Sequence, residues 1–262
     1  KNQMRVFYIF GFGYSLKTWD ISGALEREFM YFEKLYKDYK IKHSLFTYGD
    51  FEDLNYINNK NITIYPIFNF FKKTDSKFTT FLLSLIYPFK IRKNLKNNID
   101  IIKVNQLSGA WVGIILSIIL KKPLYIRTGY DAYLFSIRDG KNAFKRLFFY
   151  LLTQLSLIFC DIYSVTSKSD FEFITKKYRF NKSKLIYRPN WVPMNKTINL
   201  DNRNMKTILS VGRLEKQKNF EFLINEIKNT NFSLEIIGDG SLKENLKSYA
   251  KENNVNLNII NK

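Results

Sequence analysis

The chain has 262 residues and a formal net charge of +19 at pH 7. Hydrophobic residues make up 45% of it, which is enough for a large core, and the length exceeds that of a single doubly wound domain. We therefore expect one complete domain and part of a second. The single cysteine, Cys160, excludes an internal disulfide and a cysteine-based zinc site, and favours a reducing cytoplasm.

The basic excess does not by itself identify a partner. Lys, Asn, Ile, Phe and Tyr are all abundant, and their codons are rich in A and T, so base composition accounts for much of the excess. No element shows the concentrated basic residues and fold signature typical of nucleic-acid-binding proteins. We expect no nucleic-acid partner.

In chain order, apolar and β-branched runs predict seven strands before residue 190, with helices between most of them. The predicted strands are 5–10, 44–48, 62–67, 101–105, 124–127, 162–166 and 185–188. Crossovers of this length predict an α/β fold with a mostly parallel sheet and helices on both sides. No secretory signal precedes the first strand, and a start at Lys1 rather than Met predicts a fragment.

The loop after the first strand contains Gly11 and Gly13 in the sequence GFG, without the third glycine of a dinucleotide motif, so a simple turn is expected. A helix after Ser22 places Leu25, Phe29, Phe32 and Tyr36 on one face. The single histidine, His43, opens the second strand, and we expect it to be structural.

The loop after the fifth strand reads RTGYD over residues 127–131. In parallel sheets, ligands bind beyond the carboxyl ends of strands, which makes this loop a candidate binding segment. Its candidate residues are Arg127, Tyr130 and Asp131. Asp131 has a second interpretation, as the cap of the segment that follows.

Three apolar stretches, 78–89, 111–120 and 147–160, are broken or too short to cross a bilayer. The segment 141–159 combines Lys141, Lys145 and Arg146 with several aromatic and aliphatic residues. It is interpreted either as a core helix with a basic start or as a helix that contacts an anionic membrane.

Residues 195–206 are polar and rich in Asn, and we predict that they link a domain over 1–194 to an incomplete domain over 207–262. A strand over Thr207–Val211 leads into Gly212, which we expect to permit a tight exit, and then into Arg213 and Lys218. Asn219 is predicted to cap the next helix. The two cations would then lie beside a helix amino terminus, where anions such as phosphate bind.

About twenty residues later the chain reads LEIIGDG, followed by a helix in which Ser241 and Glu244 have the spacing of a capping box. Together, GRL with its Lys five residues on and this GDG segment resemble the carboxyl-terminal domain of retaining GT-B glycosyltransferases of group 1. Weaker similarities at 22–29, 162–170 and 184–192 extend the resemblance over most of the chain. Asn219 and Trp191 stand where the family usually has Gly.

The resemblance implies two Rossmann-like domains and transfer of a hexose, with retention, from a nucleotide-diphosphate sugar to a saccharide or lipid-linked acceptor in cell-surface polysaccharide synthesis. It implies that Arg213 and Lys218 are catalytic and bind the donor diphosphate together with Gly212 and Gly13. Arg127, Tyr130 or Asp131 would replace the acceptor-side His that many relatives carry. The donor is a substrate, and neither a cofactor nor a metal is expected.

The family's second donor signature, a pair of Glu residues, would lie beyond Lys262, so we expect this chain to be inactive or nearly so. An alternative is a non-catalytic partner subunit that recruits a transferase to the inner face of the plasma membrane. An epimerase or dehydrogenase would need a complete glycine motif beside a Tyr-x-x-x-Lys pair, and the sequence lacks the glycine motif.

Overall fold

The structure, a computed structural model, describes residues 3–57, 59–192 and 204–261. The chain divides into two compact units, Lys1–Trp191 and Val192–Lys262. Most of the predicted linker, residues 195–203, lies outside the described residues. Residues 204–206 precede the first strand of the second unit.

The first unit is built on a seven-stranded parallel sheet in the order β3-β2-β1-β4-β5-β6-β7. Its strands are β1 Arg5–Ile9, β2 Lys42–Thr47, β3 Ile62–Pro66, β4 Ile101–Val104, β5 Leu124–Thr128, β6 Ile162–Val165 and β7 Leu185–Tyr187. All seven predicted strands are confirmed, with ends shifted by one or two residues. The strand order reverses between β1 and β4, where doubly wound sheets form their binding crevice.

Helices connect the strands, as the alternating pattern predicts. In the described part of the first unit they are α1 Leu16–Ile21, α2 Leu25–Tyr39, α3 Lys77–Leu95, α4 Ala110–Leu120, α5 Ala132–Arg138, α6 Ala143–Phe159 and α7 Lys168–Lys177. The short helix α1, which the sequence did not predict, starts at a capping box between Ser15 and Thr18.

The sheet of the first unit is covered on both faces because successive strand residues point to opposite sides. One face carries Phe7, Ile9 and Val104 against buried residues of α3, α4 and α6. The other face carries Tyr8 and Phe10 against α1 and α2, in a smaller aromatic cluster. The first unit therefore has two separate cores, one on each side of the sheet.

The second unit has a three-stranded parallel sheet, in which β9 Ser233–Ile237 lies between β8 Thr207–Val211 and β10 Leu257–Ile260. The helices α8 Phe220–Ile227 and α9 Lys243–Glu252 bury Phe220, Ile224 and Leu246 against Leu234 and Ile236. The sequence did not predict β10. This strand has only four residues, none of them is fully buried, and Asn258 interrupts its apolar residues, so it lacks the apolar run of an interior strand.

Candidate active site

The two motifs of the second unit lie side by side. The Gly212 amide donates to the Ile237 carbonyl at 3.0 Å, and the Leu214 amide donates to the Asp239 carbonyl at 2.9 Å. These bonds continue the pairing of β8 with β9 beyond the strand ends. GRL and GDG thus form one surface at the carboxyl edge of the small sheet.

Glycine is required in the GDG segment because of this close approach. A Cβ atom at Gly238 would lie 2.0 Å from the Gly212 carbonyl oxygen, and one at Gly240 would lie 2.6 Å from the Leu214 carbonyl oxygen. Both obstacles are backbone atoms, which cannot rotate away. At Gly212 the chain bends as it leaves the strand, but without a positive φ, and a Cβ there would meet the Lys218 side chain at an ordinary 3.5 Å.

Lys218 returns toward the end of β8, since its Cδ and Cε atoms lie 3.6 and 3.5 Å from the position of a Cβ at Gly212. A tight turn brings it there, in which the Lys218 amide donates to the Glu215 carbonyl at 2.8 Å. Both Arg213 and Lys218 are exposed. Within the described residues, neither side chain has a hydrogen bond or ion pair.

Asn219 is the N-cap residue of α8, as predicted, but its side chain makes no capping hydrogen bond. Its backbone lies in the left-handed region, with φ of 50°. Glycine adopts this conformation without steric cost, and Asn is one of the side chains that tolerate it. Glycine, which the resembling family usually has at this position, would meet the backbone requirement that Asn219 meets here.

The predicted capping box between Ser241 and Glu244 is wrong. Helix α9 begins at Lys243, and no side chain caps it. Ser241 instead donates its amide and its hydroxyl to the Glu215 carboxylate, at 3.2 and 3.1 Å. This contact ties the GDG loop to the turn that carries Lys218.

In the first unit, Arg127 ends its strand among amide side chains. Its guanidinium donates to the Asn105 side-chain oxygen at 3.5 Å and makes a short contact with that of Asn190. Asn105 follows β4 and Asn190 follows β7, so Arg127 joins three strand ends at the carboxyl edge of the large sheet. It is half-buried and has no carboxylate partner among the described residues.

Asp131 is the N-cap of α5, which confirms the second of its two interpretations. One carboxylate oxygen accepts from the Leu134 amide at 2.7 Å, and the other accepts from the Tyr178 hydroxyl at 3.1 Å. The side chain is buried, and burial raises the pKa of this carboxyl group. Its oxygens are occupied in holding the fold. Tyr130, by contrast, is exposed and packs its ring 4.4 Å from that of Phe135.

Gly13 lies in a tight turn next to the point where the strand order reverses. The Tyr14 amide donates to the Gly11 carbonyl at 3.0 Å, and Gly13 has φ of 80°, as the third residue of a type II turn requires. No described atom lies within 4 Å of where a Cβ at Gly13 would be. The turn predicted from GFG is confirmed, and its outer side is open.

His43 is structural, as expected. It is buried on β2, with its ring 4.5 Å from that of Phe32. Burial, and secondarily the charge of Lys103, lowers its pKa to about 4. The neutral imidazole is therefore part of the aromatic core beneath α2.

This burial predicts a loss of stability in acid. The pKa of His43 is about 4 in the folded protein and about 6.5 in the unfolded chain. As the pH falls from 6.5 toward 4, the unfolded chain takes up a proton that the folded protein does not, so the free energy of unfolding decreases. The loss is on the order of 3 kcal/mol. Urea denaturation of the wild type and of His43→Gln between pH 7 and pH 4 should show a smaller pH dependence in the variant. Equal slopes would contradict the assignment.

Sequence reasoning missed Lys103. It lies half-buried in β4, where the run IIKV places a charge among core residues. Its ammonium lies 5.0, 5.3 and 5.7 Å from the ring centroids of Tyr8, Tyr31 and Tyr125. Burial lowers the pKa of Lys103 to about 8. The charges of Arg127 and Arg188 add to this decrease, and the charge of Glu28 opposes it. A lysine in an otherwise apolar interior strand was the available signal.

Comparison with solved structures defines the fold class. The lipopolysaccharide outer core galactosyltransferase WaaB matches over 98% of this chain and 68% of its own, with a TM-score of 0.63 and 18% identity. Anabaena HepE in complex with UDP matches over 98% and 69%, with a TM-score of 0.65 and 16% identity. TarM matches over 99% and 77%, with a TM-score of 0.64 and 9% identity. At these identities the likeness establishes the fold, which is GT-B.

Sequence comparison adds a family match within that class. Residues 194–261 match the family described as Glycosyl transferases group 1. An uncharacterized glycosyltransferase of Haemophilus influenzae is 34% identical over 103 residues, which cover 37% of this chain. The match spans 28% of that relative's length. The segment that carries Arg213, Lys218 and GDG is thus similar in sequence to group 1 glycosyltransferases.

Proposed function

We propose that this chain is part of a retaining glycosyltransferase that takes a hexose from a nucleotide-diphosphate sugar and adds it to a saccharide or lipid-linked acceptor in cell-surface polysaccharide synthesis. One observation carries the proposal. Arg213 and Lys218 are exposed cations without an anionic partner in the described structure, on a loop that is packed against GDG. The group 1 match over the same segment supports it.

The chemistry follows from the charge that develops during transfer. The anomeric carbon becomes positive as its bond to the diphosphate breaks, and the diphosphate leaves with additional negative charge. Arg213 offers a planar fork of donors and Lys218 a mobile ammonium, and both can stabilise that charge more strongly in the transition state than in the ground state. In this proposal no metal ion is needed, so transfer should persist in EDTA.

The proposal is tested first by equilibrium binding of UDP and other nucleoside diphosphates to the wild type and to Arg213→Ala. We expect weaker binding in the variant. Unchanged binding of every diphosphate would contradict the donor assignment. The expectation that this chain alone transfers little or no sugar is tested by comparing it with a longer protein that includes the paired-Glu segment.

A second observation concerns the location of the protein, and it is expected both of the transferase and of the alternative, a membrane-associated partner subunit. Helix α6 buries Leu152 and Leu157 and leaves the opposite side exposed. That side carries Phe144, at 80% exposure, followed at helical spacing by Leu147, Leu151, Leu155 and Ile158. The interpretation of 141–159 as a core helix is therefore only half correct.

Helix α3 repeats this arrangement on the same face of the sheet. Its buried side packs into the core through Tyr87 and Ile91, and its opposite side exposes Phe78, Ile86 and Phe89. Helices α3 and α6 contain four and two Lys or Arg residues, respectively, and no Asp or Glu. We call the outward sides of α3 and α6 the apolar-basic surface. In the described residues, no helix is long and apolar enough to cross a membrane.

We propose that the apolar-basic surface lies on an anionic membrane, which places the protein at the cytoplasmic face. Exposed apolar residues insert among the lipid headgroups, and lysines add attraction to the anionic leaflet. The transferase and the partner subunit both predict this contact. They are distinguished by nucleotide-diphosphate binding, which only the transferase requires.

Replacing Phe144 and Leu151 by Ser should reduce binding to phosphatidylglycerol-containing vesicles by about tenfold or more, because two inserted side chains are lost. Vesicle co-sedimentation measures this. The matched control is Ile21→Ser with Phe51→Ser, two residues of 78% and 67% exposure outside the surface. Undiminished binding by the first variant, or an equal loss in the control, would contradict the proposal.

A further inference from the structure

A group of cations gathers on the other face of the large sheet, away from the apolar-basic surface. In register, Tyr8 of β1 pairs with Lys103 of β4, and Lys103 pairs with Tyr125 of β5, so the three side chains share one face. Tyr31 of α2 covers them. The Lys103 ammonium is thus enclosed on three sides by aromatic rings, and in the described structure it has no hydrogen bond and no ion pair.

Two arginines add to this charge. Arg127 is two residues beyond Tyr125 and so projects on the same face. Arg188 follows β7, and Leu185 of that strand faces the core on the opposite side of the sheet. Side chains alternate between the two faces along a strand, which puts position 188 on the Lys103 side. The Arg188 amide is held by the Val165 carbonyl at 2.8 Å. After burial, the positive charges of Arg127 and Arg188 are the causes that lower the pKa of Lys103.

The compensating negative charge is small. Glu28 of α2 is the acidic group that favours the protonated Lys103, and its carboxylate is itself bonded to Arg27 at 2.9 Å. Close to Lys103, the buried Tyr8 hydroxyl has no partner among the described residues. Cations that are partly removed from water and repel one another are unfavourable unless an anion joins them.

We propose that Lys103, Arg127 and Arg188, with Tyr31 and Asn190 at the rim, bind a phosphate group of the acceptor. A phosphate monoester carries close to two negative charges, which suits three cations better than a single carboxylate does. Arginine forks fit the phosphate oxygens, and a lysine supplies a point charge. The inference rests on the proposed function, because the acceptor is the substrate that it describes.

The aromatic walls and the amide rim extend the inferred specificity. The Tyr31 ring lies beside that of Trp191, with ring centroids 5.7 Å apart and the ring planes tilted by 46°. Trp191 directly follows Asn190 in the chain. Trp191 and Tyr31 provide apolar rings, and Asn190 provides a side-chain amide, next to the cations. A sugar bearing a phosphate would contact both kinds of group.

The test is calorimetric binding of inorganic phosphate, glucose 6-phosphate, octyl phosphate and glucuronate to the whole chain. We expect the phosphates to bind, and we expect Lys103→Met to weaken their binding by about tenfold or more. Lys37→Met, at an exposed position of α2 outside the apolar-basic surface, is the matched control. Arg188→Gln is a second variant at an exposed position, in case Lys103→Met does not fold. Binding of octyl phosphate alone would assign the phosphate to a lipid.

A second readout follows the lysine itself. In protein labelled with ¹³C at the lysine ε carbon, the pKa of Lys103 should rise from about 8 when phosphate is added. Absence of phosphate binding, or tighter binding of glucuronate, would overturn the inference. Phosphate binding that is lost in Arg213→Ala with Lys218→Ala but kept in Lys103→Met would overturn it as well, and would leave the proposed function standing.

Discussion

Replacing both Arg213 and Lys218 by Ala is expected to slow sugar transfer by about a hundredfold or more in a protein that includes the complete donor domain, because each charge-assisted contact contributes about 1.5 to 3 kcal/mol. Each single variant should lose about tenfold or more. Steady-state kinetics with saturating donor would show the loss in kcat, since the contacts strengthen as the diphosphate leaves.

The control for this experiment is Lys216→Ala. Lys216 is exposed and lies in the same turn, two residues before Lys218. The family resemblance assigns no donor contact to Lys216, so its removal should change the rate of transfer little. If Lys216→Ala and Lys218→Ala had equal effects, general positive charge would explain the result rather than a specific site.

The second large effect is expected at Gly238. Alanine there would place a Cβ atom 2.0 Å from the Gly212 carbonyl oxygen, so the two loops must separate. We expect the second unit to lose about 3 kcal/mol of stability, since overpacking against backbone cannot be relieved by a rotamer change. The separation would also displace Arg213, so donor binding should weaken.

Urea denaturation combined with hydrogen exchange of the β9 amides would measure this loss in the second unit. Gly212→Ala serves as the comparison for stability, because a Cβ atom there meets its nearest neighbours at 3.5 Å. Comparable destabilisation by the two variants would contradict the role assigned to the close approach of GRL and GDG.

The strand and helix pattern was predictable because parallel α/β folds repeat a strong local signal. Each interior strand is an apolar run, and each crossover contains a helix with one apolar face. The pairing of GRL with GDG was not predicted, although both motifs stand out in the sequence. Chain geometry then brings adjacent parallel strands and their following loops to the same edge.

The local roles of single polar residues were not predictable in the same way. Asp131 fits a binding loop and an N-cap equally well in sequence, and only the positions of Leu134 and Tyr178 decide between them. Ser241 has capping-box spacing, yet Glu215, which is 26 residues away, takes its hydrogen bonds. Such choices depend on tertiary neighbours that no local window contains.

The group around Lys103 illustrates the same limit on a larger scale. Its members come from β1, α2, β4, β5 and the segment after β7, and sheet register alone brings them together. The sequence shows only an isolated lysine between apolar residues. At Asn219 the sequence predicted the N-cap position but not the positive φ that the structure shows.

The most direct measurement is the binding of inorganic pyrophosphate to this chain, followed by calorimetry in the wild type, Lys218→Ala, Arg213→Ala and Lys216→Ala. The account predicts that the first two variants weaken pyrophosphate binding by about tenfold or more each while Lys216→Ala leaves it unchanged. Equal affinity in all four proteins would show that these cations do not hold a diphosphate, and would contradict the proposed function.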